Sequence, residues 1–507
     1  MRMTKRIIAF VMTLAVMLAC LCGCGTIGSR HVQRADWADD VKAAVNDFID
    51  LYGNHSKQYQ ENSYVVSDFD NTASVFDMCI QFLIYQAEVM GYAFTPEELP
   101  AILASGIGDM DEDLSRFGRG NGSYRDWISD ITNAYSCLYD AYGPFGPEGV
   151  DEKTAQRIQS DPMWAEFIAK MLNLYSLIGE NETTFVSYPW ITYWYTGMTE
   201  DEVYSLARKS HEKYRQVETS QKTIETSPEI TSRVGTVVYT YTNGVQVTEN
   251  IREMWQALCK AGIDIWVCTA SEGDIIRAAV DEFGLHDYCT GLIGMTPVVV
   301  DGKISYDYDY TNGCAWYAQR DGGWERGSVP TCTQTQGIGK TVAVQTICEA
   351  EYGCGPLAGF MDSTGDYNFC TEFESLKLVI CFNRADRKVT DGGSVIAALA
   401  VYQKDELGYD LKKANAAGDT LYVLQGRDEN GTRTLRNSNK TLKLGETEEK
   451  LFRDEKNQAI YAKMVEKEMT TADIINTFAI KTKEDSPDND LGFAYGFLDT
   501  FDGYHTK

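Results

Sequence analysis

The chain has 507 residues, enough for two or three domains, and its 44% hydrophobic and 24% charged residues are ordinary for a globular protein. Its formal net charge of -28 is not ordinary. Phosphate backbones are held by clusters of Lys and Arg, and the sequence has none, so no nucleic-acid partner is expected.

The N-terminus reads as an export signal spanning residues 1–24. Arg2, Lys5 and Arg6 form a basic region, and the apolar run from Ile7 to Leu18 is too short for a stable spanning helix. Leu21-Cys22-Gly23-Cys24 follows and resembles a bacterial lipobox, which makes Cys24 the expected lipidated residue. Met17-Leu18-Ala19-Cys20 is a weaker alternative, and cleavage for free secretion is the competing outcome. Acyl chains on Cys24 would anchor a water-soluble body to the extracytoplasmic side of a bacterial membrane. Eleven of the 14 cysteines lie beyond this signal, without the close pairs of a zinc site. Cys268 and Cys381, inside apolar runs, read as small buried hydrophobes.

After a polar stretch from Gly25 to Asp36, a short helical segment leads to Tyr64-Val65-Val66-Ser67, an apolar strand that runs into Asp68-Phe69-Asp70-Asn71-Thr72. Acids at the carboxyl end of such a strand sit where open α/β sheets bind ligands. From Ala73 to Gln221 the pattern is mostly helical and rich in aromatics, with loop signals at Gly118 to Ser123 and Gly143 to Gly149. The polar run Ser220 to Ser232 reads as a linker. An α/β alternation follows. Ile251, Met254, Trp255 and Leu258 share a helical face, Ile263 to Cys268 form a strand ending at Thr269, and Ser271 opens the next helix. Lys340 to Cys348 read as a helix, Leu357 to Met361 as a strand ending at Asp362, and Leu376 to Phe382 as a further strand. Such alternation predicts a parallel sheet with helices on both faces. The region beyond Arg427 is polar, with one helical stretch near Lys456 to Met469, and no repeat of fixed period appears.

In order and spacing type, Asp68-Phe69-Asp70-Asn71-Thr72, Thr269, Lys340 and Asp362-Ser363-Thr364-Gly365-Asp366 resemble the four motifs of the haloacid dehalogenase superfamily of phosphohydrolases. The resemblance spans most of Tyr64 to Gln425. It implies an α/β fold with a Rossmann-like parallel sheet core over residues 25–75 and 233–430, a mostly helical cap over 76–232 inserted after the first motif, and a C-terminal extension over 431–507. Implied with it is a phosphomonoesterase acting through an aspartyl phosphate, with Asp68 as nucleophile, Asp70 as general acid then base, and Thr269 and Lys340 holding the phosphate oxygens. Magnesium is the implied cofactor, held by Asp68, the main chain of Asp70, Asp362 and Asp366. The family commonly has Gly before the first acid of its last motif, where this chain has Met361. Gly337-Ile338-Gly339-Lys340-Thr341 looks like the end of a nucleotide-binding loop, but the earlier glycine that loop needs falls at Gln334.

The stretch from Ser187 to Thr199, Tyr-Pro-Trp followed by Gly-x-Thr, is similar to the cap segment of bacterial phosphorylcholine phosphatases. Phosphocholine is a quaternary ammonium compound, and Tyr188, Trp190 and Trp194 are the rings expected to face it. Aromatics of a helical lid also commonly form its core. Other small phosphomonoesters, as in phosphoserine phosphatase-like members, remain open. A solute-binding surface lipoprotein, or a phosphotransferase on the same fold, is the alternative function.

Overall fold

The computed structural model describes residues 30–182, 184–307, 314–320, 323–329, 334–385, 392–431, 433–452 and 455–478. The export signal and Cys24 lie outside the described residues. No helix of the described residues is long and apolar enough to cross a membrane.

An eight-stranded sheet forms the centre. Its strands are β1 (Tyr64–Ser67), β6 (Asp264–Glu272), β7 (Gly291–Met295), β10 (Cys314–Arg320), β11 (Gly323–Val329), β12 (Ala358–Met361), β13 (Leu378–Phe382) and β14 (Leu421–Gln425), in the order β11-β10-β7-β6-β1-β12-β13-β14, while β8 (Val299–Val300) and β9 (Lys303–Ile304) pair with each other outside it. The six strands from β7 to β14 across the sheet are parallel, and β10 and β11 extend one edge as an antiparallel hairpin. Numbered along the chain, those six stand in the order 3-2-1-4-5-6, which is the Rossmann order. Chain direction across the sheet reverses between β1 and β12, so a crevice opens at their carboxyl ends.

A strand covered on both faces needs apolar residues at every position rather than alternately, which is why Tyr64, Val65 and Val66 run without a break. Val65, Ile265, Val267, Phe360 and Ile380 pack on one face against Phe48 and Ile49 of α1 (Asp39–Tyr52). Trp255 and Leu258 of the helix Glu249–Lys260 join the same cluster. Tyr64, Val66, Trp266, Cys268 and Met361 pack on the other face with Val344, Ile396 and Leu399. Each such side chain contributes roughly 1.5–3 kcal/mol on burial. The helix Glu249–Lys260 starts at Thr248, whose hydroxyl accepts from the Ile251 amide, and stops at Gly262, whose φ of 71° turns the chain into β6. Cys268 and Cys381 are both buried, as their apolar surroundings in sequence imply.

Between β2 (Ser74–Val75) and β5 (Gln246–Val247), which pair antiparallel, a long insertion leaves and re-enters the core. It is mostly helical: α2 (Met78–Val89), α3 (Leu99–Ala104), α4 (Tyr124–Tyr142), α5 (Glu152–Gln159), α6 (Pro162–Asn181), α7 (Thr184–Thr192) and α8 (Glu200–Tyr214). The expected linker at Ser220 is instead strand β3 (Ser220–Glu225), paired with β4 (Val238–Asn243). Its polar composition concealed it, because Ile224 is its single buried residue. Beyond the sheet, β15 (Arg427–Asp428), β16 (Thr434–Leu435), β17 (Thr441–Leu442) and β18 (Glu449–Lys450) make a small sheet of their own. The helix foreseen near Lys456 spans Glu455–Glu466 and is followed by another over Thr471–Phe478.

Candidate active site

Pairing register brings three chain segments to one line. Ser67 faces Val267 on one side and Phe360 on the other, so Asp68 and Asp362 emerge at the carboxyl ends of adjacent strands, and Thr269 stands nearly level with them where the regular pairing of β6 with β7 breaks. Met361 is buried within the core and does not line the crevice. Asp362 is followed by a tight turn in which the Asp366 carboxylate accepts from the Asp362 and Ser363 amides at 3.2 and 3.3 Å. This folds Asp366 back toward Asp68. One carboxylate oxygen each from Asp68, Asp362 and Asp366 lie within 4.8 Å of one another, and all three residues are buried.

Lys340 reaches the same point from the helix Ile338–Val344. Gly337, with φ 54°, makes the turn that opens it and donates its amide to Gly365 O at 2.9 Å, joining this helix to the Asp362–Asp366 turn. The Lys340 ammonium donates to Asp68 Oδ1 and Asp366 Oδ1, both at 2.6 Å. The helix ends in a π turn over Gln345–Glu349. Burial works against the Lys340 charge, but Asp366 and Asp68 outweigh it and hold the ammonium protonated well above its usual range. Burial raises the Asp68 carboxyl despite Lys340, and raises Asp366 to about 8 with the help of the Asp68 charge. Asp70 is raised well above the usual carboxylate range by burial and then by the charge of Asp77.

Asp70 is held by two donors, the Met78 amide to Oδ1 at 2.7 Å and the Ser271 hydroxyl to Oδ2 at 2.5 Å. Ser271 was expected to open a helix. Instead β6 runs on to Glu272, with a register irregularity after Cys268, and Glu272 caps the helix Gly273–Glu282 by accepting from the Ile275 amide. This irregularity turns Ser271 toward Asp70, while the Thr269 hydroxyl accepts from the Ser271 amide at 3.1 Å.

A cavity of about 330 Å³ opens over these groups, lined by Asp68, Asp70, Thr269, Lys340, Asp362 and Asp366. The insertion closes it with Cys79, Tyr175, Tyr188, Ile191 and Thr192. Of the three rings that the sequence singles out, Tyr188 lines the cavity. Trp190 and Trp194 do not: both are 0% exposed, pack edge to face with centroids 5.9 Å apart, and are absent from the lining. The reason is helical rotation, since Tyr188, Ile191 and Thr192 share one face of α7 and Trp190 lies on the other, where Trp194 from the following 3-10 turn Tyr193–Tyr195 packs against it. The Trp190 indole donates inward to Leu103 O at 2.9 Å.

Several lining residues escaped the sequence reading. Arg384, just past β13, donates to Asp362 Oδ2 at 2.9 Å. Its signal was positional, a charged side chain at the carboxyl end of a buried strand. Asp77 and Glu272 also line the cavity, and each resembles an ordinary helix cap in sequence. Burial raises the carboxyls of both, Glu272 well above its usual range.

Among the described residues, the donors grouped at this cluster are carboxylate oxygens, the hard donors that magnesium selects. Burial, and after it the neighbouring acid charges, raise Asp68 and Asp366, and a bound cation would offset both effects, so the residues fit the group.

No protein-family model matches the chain, and no curated protein matches it. Among solved structures, it is similar to a conserved functionally unknown protein from Anaerococcus prevotii DSM 20548. That match has a TM-score of 0.63 and 21% identity over 82% of this chain and 99% of the other. The likeness supports the fold. A cytosolic 5'-nucleotidase IIIB bound to cytidine aligns with a TM-score of 0.28 and 14% identity over 69% of this chain and 82% of the other, a level that carries no argument.

Proposed function

We propose that this chain is a magnesium-dependent phosphomonoesterase of the haloacid dehalogenase type, with the insertion as its cap. The observation that carries the reading is the convergence of Asp68, Asp362, Asp366 and Lys340, from separate chain segments, on one buried point facing a cavity at the switch point of the sheet.

In this reading the Asp68 carboxylate attacks phosphorus, the bond to the leaving oxygen breaks, and Asp70 gives that oxygen its proton. The raised Asp70 carboxyl suits it to carry a proton near neutral pH. Water then attacks the aspartyl phosphate, Asp70 takes the proton, and phosphate leaves with the Asp68 carboxylate restored. Lys340, the Thr269 hydroxyl and Arg384 are the donors to the non-bridging oxygens, replacing water with fixed dipoles and charges. Asp68, Asp362, Asp366 and the Asp70 carbonyl would hold magnesium, which when bound offsets the negative charge that builds on the transferring group.

Phosphocholine is the leading substrate. Tyr175 and Tyr188 line the cavity together with the carboxyl groups of Asp77 and Glu272, and aromatic rings with acidic groups in one pocket are the residue types that receive a quaternary ammonium. The protein would act at a membrane surface, held through a lipidated Cys24.

The test is release of free phosphate from a panel of phosphorylated head groups and metabolites by the mature form with magnesium, with and without added alcohols. Hydrolysis abolished in Asp68→Asn at unchanged folding supports the reading. Transfer to the alcohol in place of phosphate release would make the protein a phosphotransferase, and binding without turnover a solute-binding protein.

A further inference from the structure

The small sheet after Arg427 shows no chemistry in its sequence, yet its first residue reaches the loop that carries Asp70. Arg427 is 1% exposed, one of the largest fully buried side chains in the protein. Its guanidinium donates Nη1 to Asn71 O at 2.9 Å and Nη2 to Asn71 Oδ1 at 3.2 Å. It also donates Nε and Nη2 to Glu429 Oε1 at 3.0 and 2.8 Å, and lies over the Phe76 ring at 5.9 Å. Glu429 is itself buried and pairs with Lys443.

Of the three residues that Arg427 contacts, the two on the Asp70 side, Asn71 and Phe76, are in an unusual backbone conformation. Asn71 has φ 63° and Phe76 has φ 73°, the left-handed region that a bulky residue such as Phe adopts only when its surroundings enforce it. Asn71 directly follows Asp70, and this turn sends the Asp70 carboxylate back to the Met78 amide and the Ser271 hydroxyl. The same small sheet grips two further places. The Thr441 hydroxyl donates to Asn383 O, next to Arg384 of the cavity wall. Arg433 donates to Val245 O at 2.8 Å, where the insertion re-enters the core.

We infer that Arg427 is a positioning residue for the reaction: its fork to Asn71 holds the loop in the conformation that aims Asp70, so that the small sheet governs turnover without touching substrate. The inference rests on the phosphatase reading for its kinetic consequence only. The grip on the loop is a separate physical claim and has its own measurement.

Arg427→Lys is the informative change, because it keeps a cation for Glu429 and loses the planar fork. A misplaced acid–base group lowers the rate while binding persists, so kcat falls by about 10- to 100-fold with KM within about threefold of wild type. Hydrogen exchange at amides 70–78 accelerates in the same variant while the strands of the central sheet keep their protection. Should Arg427→Lys fold poorly, Arg427→Met combined with Glu429→Gln removes both buried charges together and is measured in the same way. A kcat within about threefold of wild type, or faster exchange spread evenly over the sheet, overturns the inference. If the wild-type protein releases no phosphate from any ester, the phosphatase reading fails. Exchange then still decides the positioning claim, supported by a change confined to 70–78 and overturned by none.

Discussion

The Lys340 ammonium lies 2.6 Å from Asp68 Oδ1, a contact made across 272 positions of chain with both side chains almost entirely buried. An ion pair in such a setting stabilises little on balance, yet removing one partner leaves the other charge stranded. Lys340→Met is therefore expected to lose about 3–5 kcal/mol of stability as well as activity, since Asp68 and Asp366 both lose their cation. Asp68→Asn is expected to be the opposite case: hydrolysis falls by about 10³-fold or more, while the thermal midpoint holds or rises because one of three crowded acids has gone. Calorimetric unfolding of the two variants beside a phosphate-release assay checks both. An equal loss of stability in each would contradict the charge arrangement.

Metal binding has a readout that needs no substrate. A ligand that binds only the folded state stabilises it, by about 2.7 kcal/mol at 100 times its Kd. Magnesium is expected to raise the thermal midpoint of wild type and to do so much less in Asp362→Asn, which keeps the fold but loses one oxygen donor of the cluster. The same rise in both proteins would move the ion elsewhere.

The two kinds of aromatic in the insertion separate by what they disturb. Trp190 is fully buried and hydrogen-bonded to Leu103 O, so Trp190→Ala is expected to destabilise by about 3–5 kcal/mol with little effect on the KM of the folded fraction. Tyr188 lines the cavity and is half-buried, so Tyr188→Ala is expected to raise KM for phosphocholine by about tenfold at small cost in stability. Unfolding curves and KM values for phosphocholine against an uncharged phosphomonoester decide the point.

Acid is expected to loosen the join between insertion and core. His211 of α8 is fully buried, and its Nε2 lies 3.0 Å from Ile275 O of the helix Gly273–Glu282. Burial lowers its pKa to about 4, against the raising effects of the Ile275 carbonyl and the Glu282 charge. A histidine whose folded pKa lies below its unfolded value gives stability that is complete above about pH 6.5 and lost as pH falls toward 4, because the unfolded chain binds the extra proton. The loss amounts to about 3 kcal/mol at the lower end of that window. Thermal midpoints of wild type and His211→Gln between pH 7 and 4 measure it, and parallel curves would show that another group is responsible.

Much of the site was readable because its parts sit at the ends of strands. A short apolar run leading to an acid is visible in sequence, as it is for Tyr64, Val65 and Val66 ahead of Ser67 and Asp68, and for Ala358–Met361 before Asp362. Adjacent parallel strands then bring such ends together by register. Lys340 was readable only in that company, since nothing local to a helix residue reports a partner far along the chain. Strand β3 was misread because an exposed hairpin carries little apolar signal, and Trp190 and Trp194 because composition does not report which face of a helix turns inward.

The chain's own order of residues determined the alternation of strand and helix, the long helical insertion and the acids at the strand ends, since these follow from local periodicity and chain chemistry. Tertiary structure alone decided that Asp366 folds back on Asp68, that Ser271 turns to Asp70, and that Arg427 and Asn71, 356 positions apart, meet in a buried fork. Contacts of that kind depend on strand register, a β irregularity and the packing of distant segments, which are properties of the whole assembled core and leave no periodic trace in any one stretch of sequence.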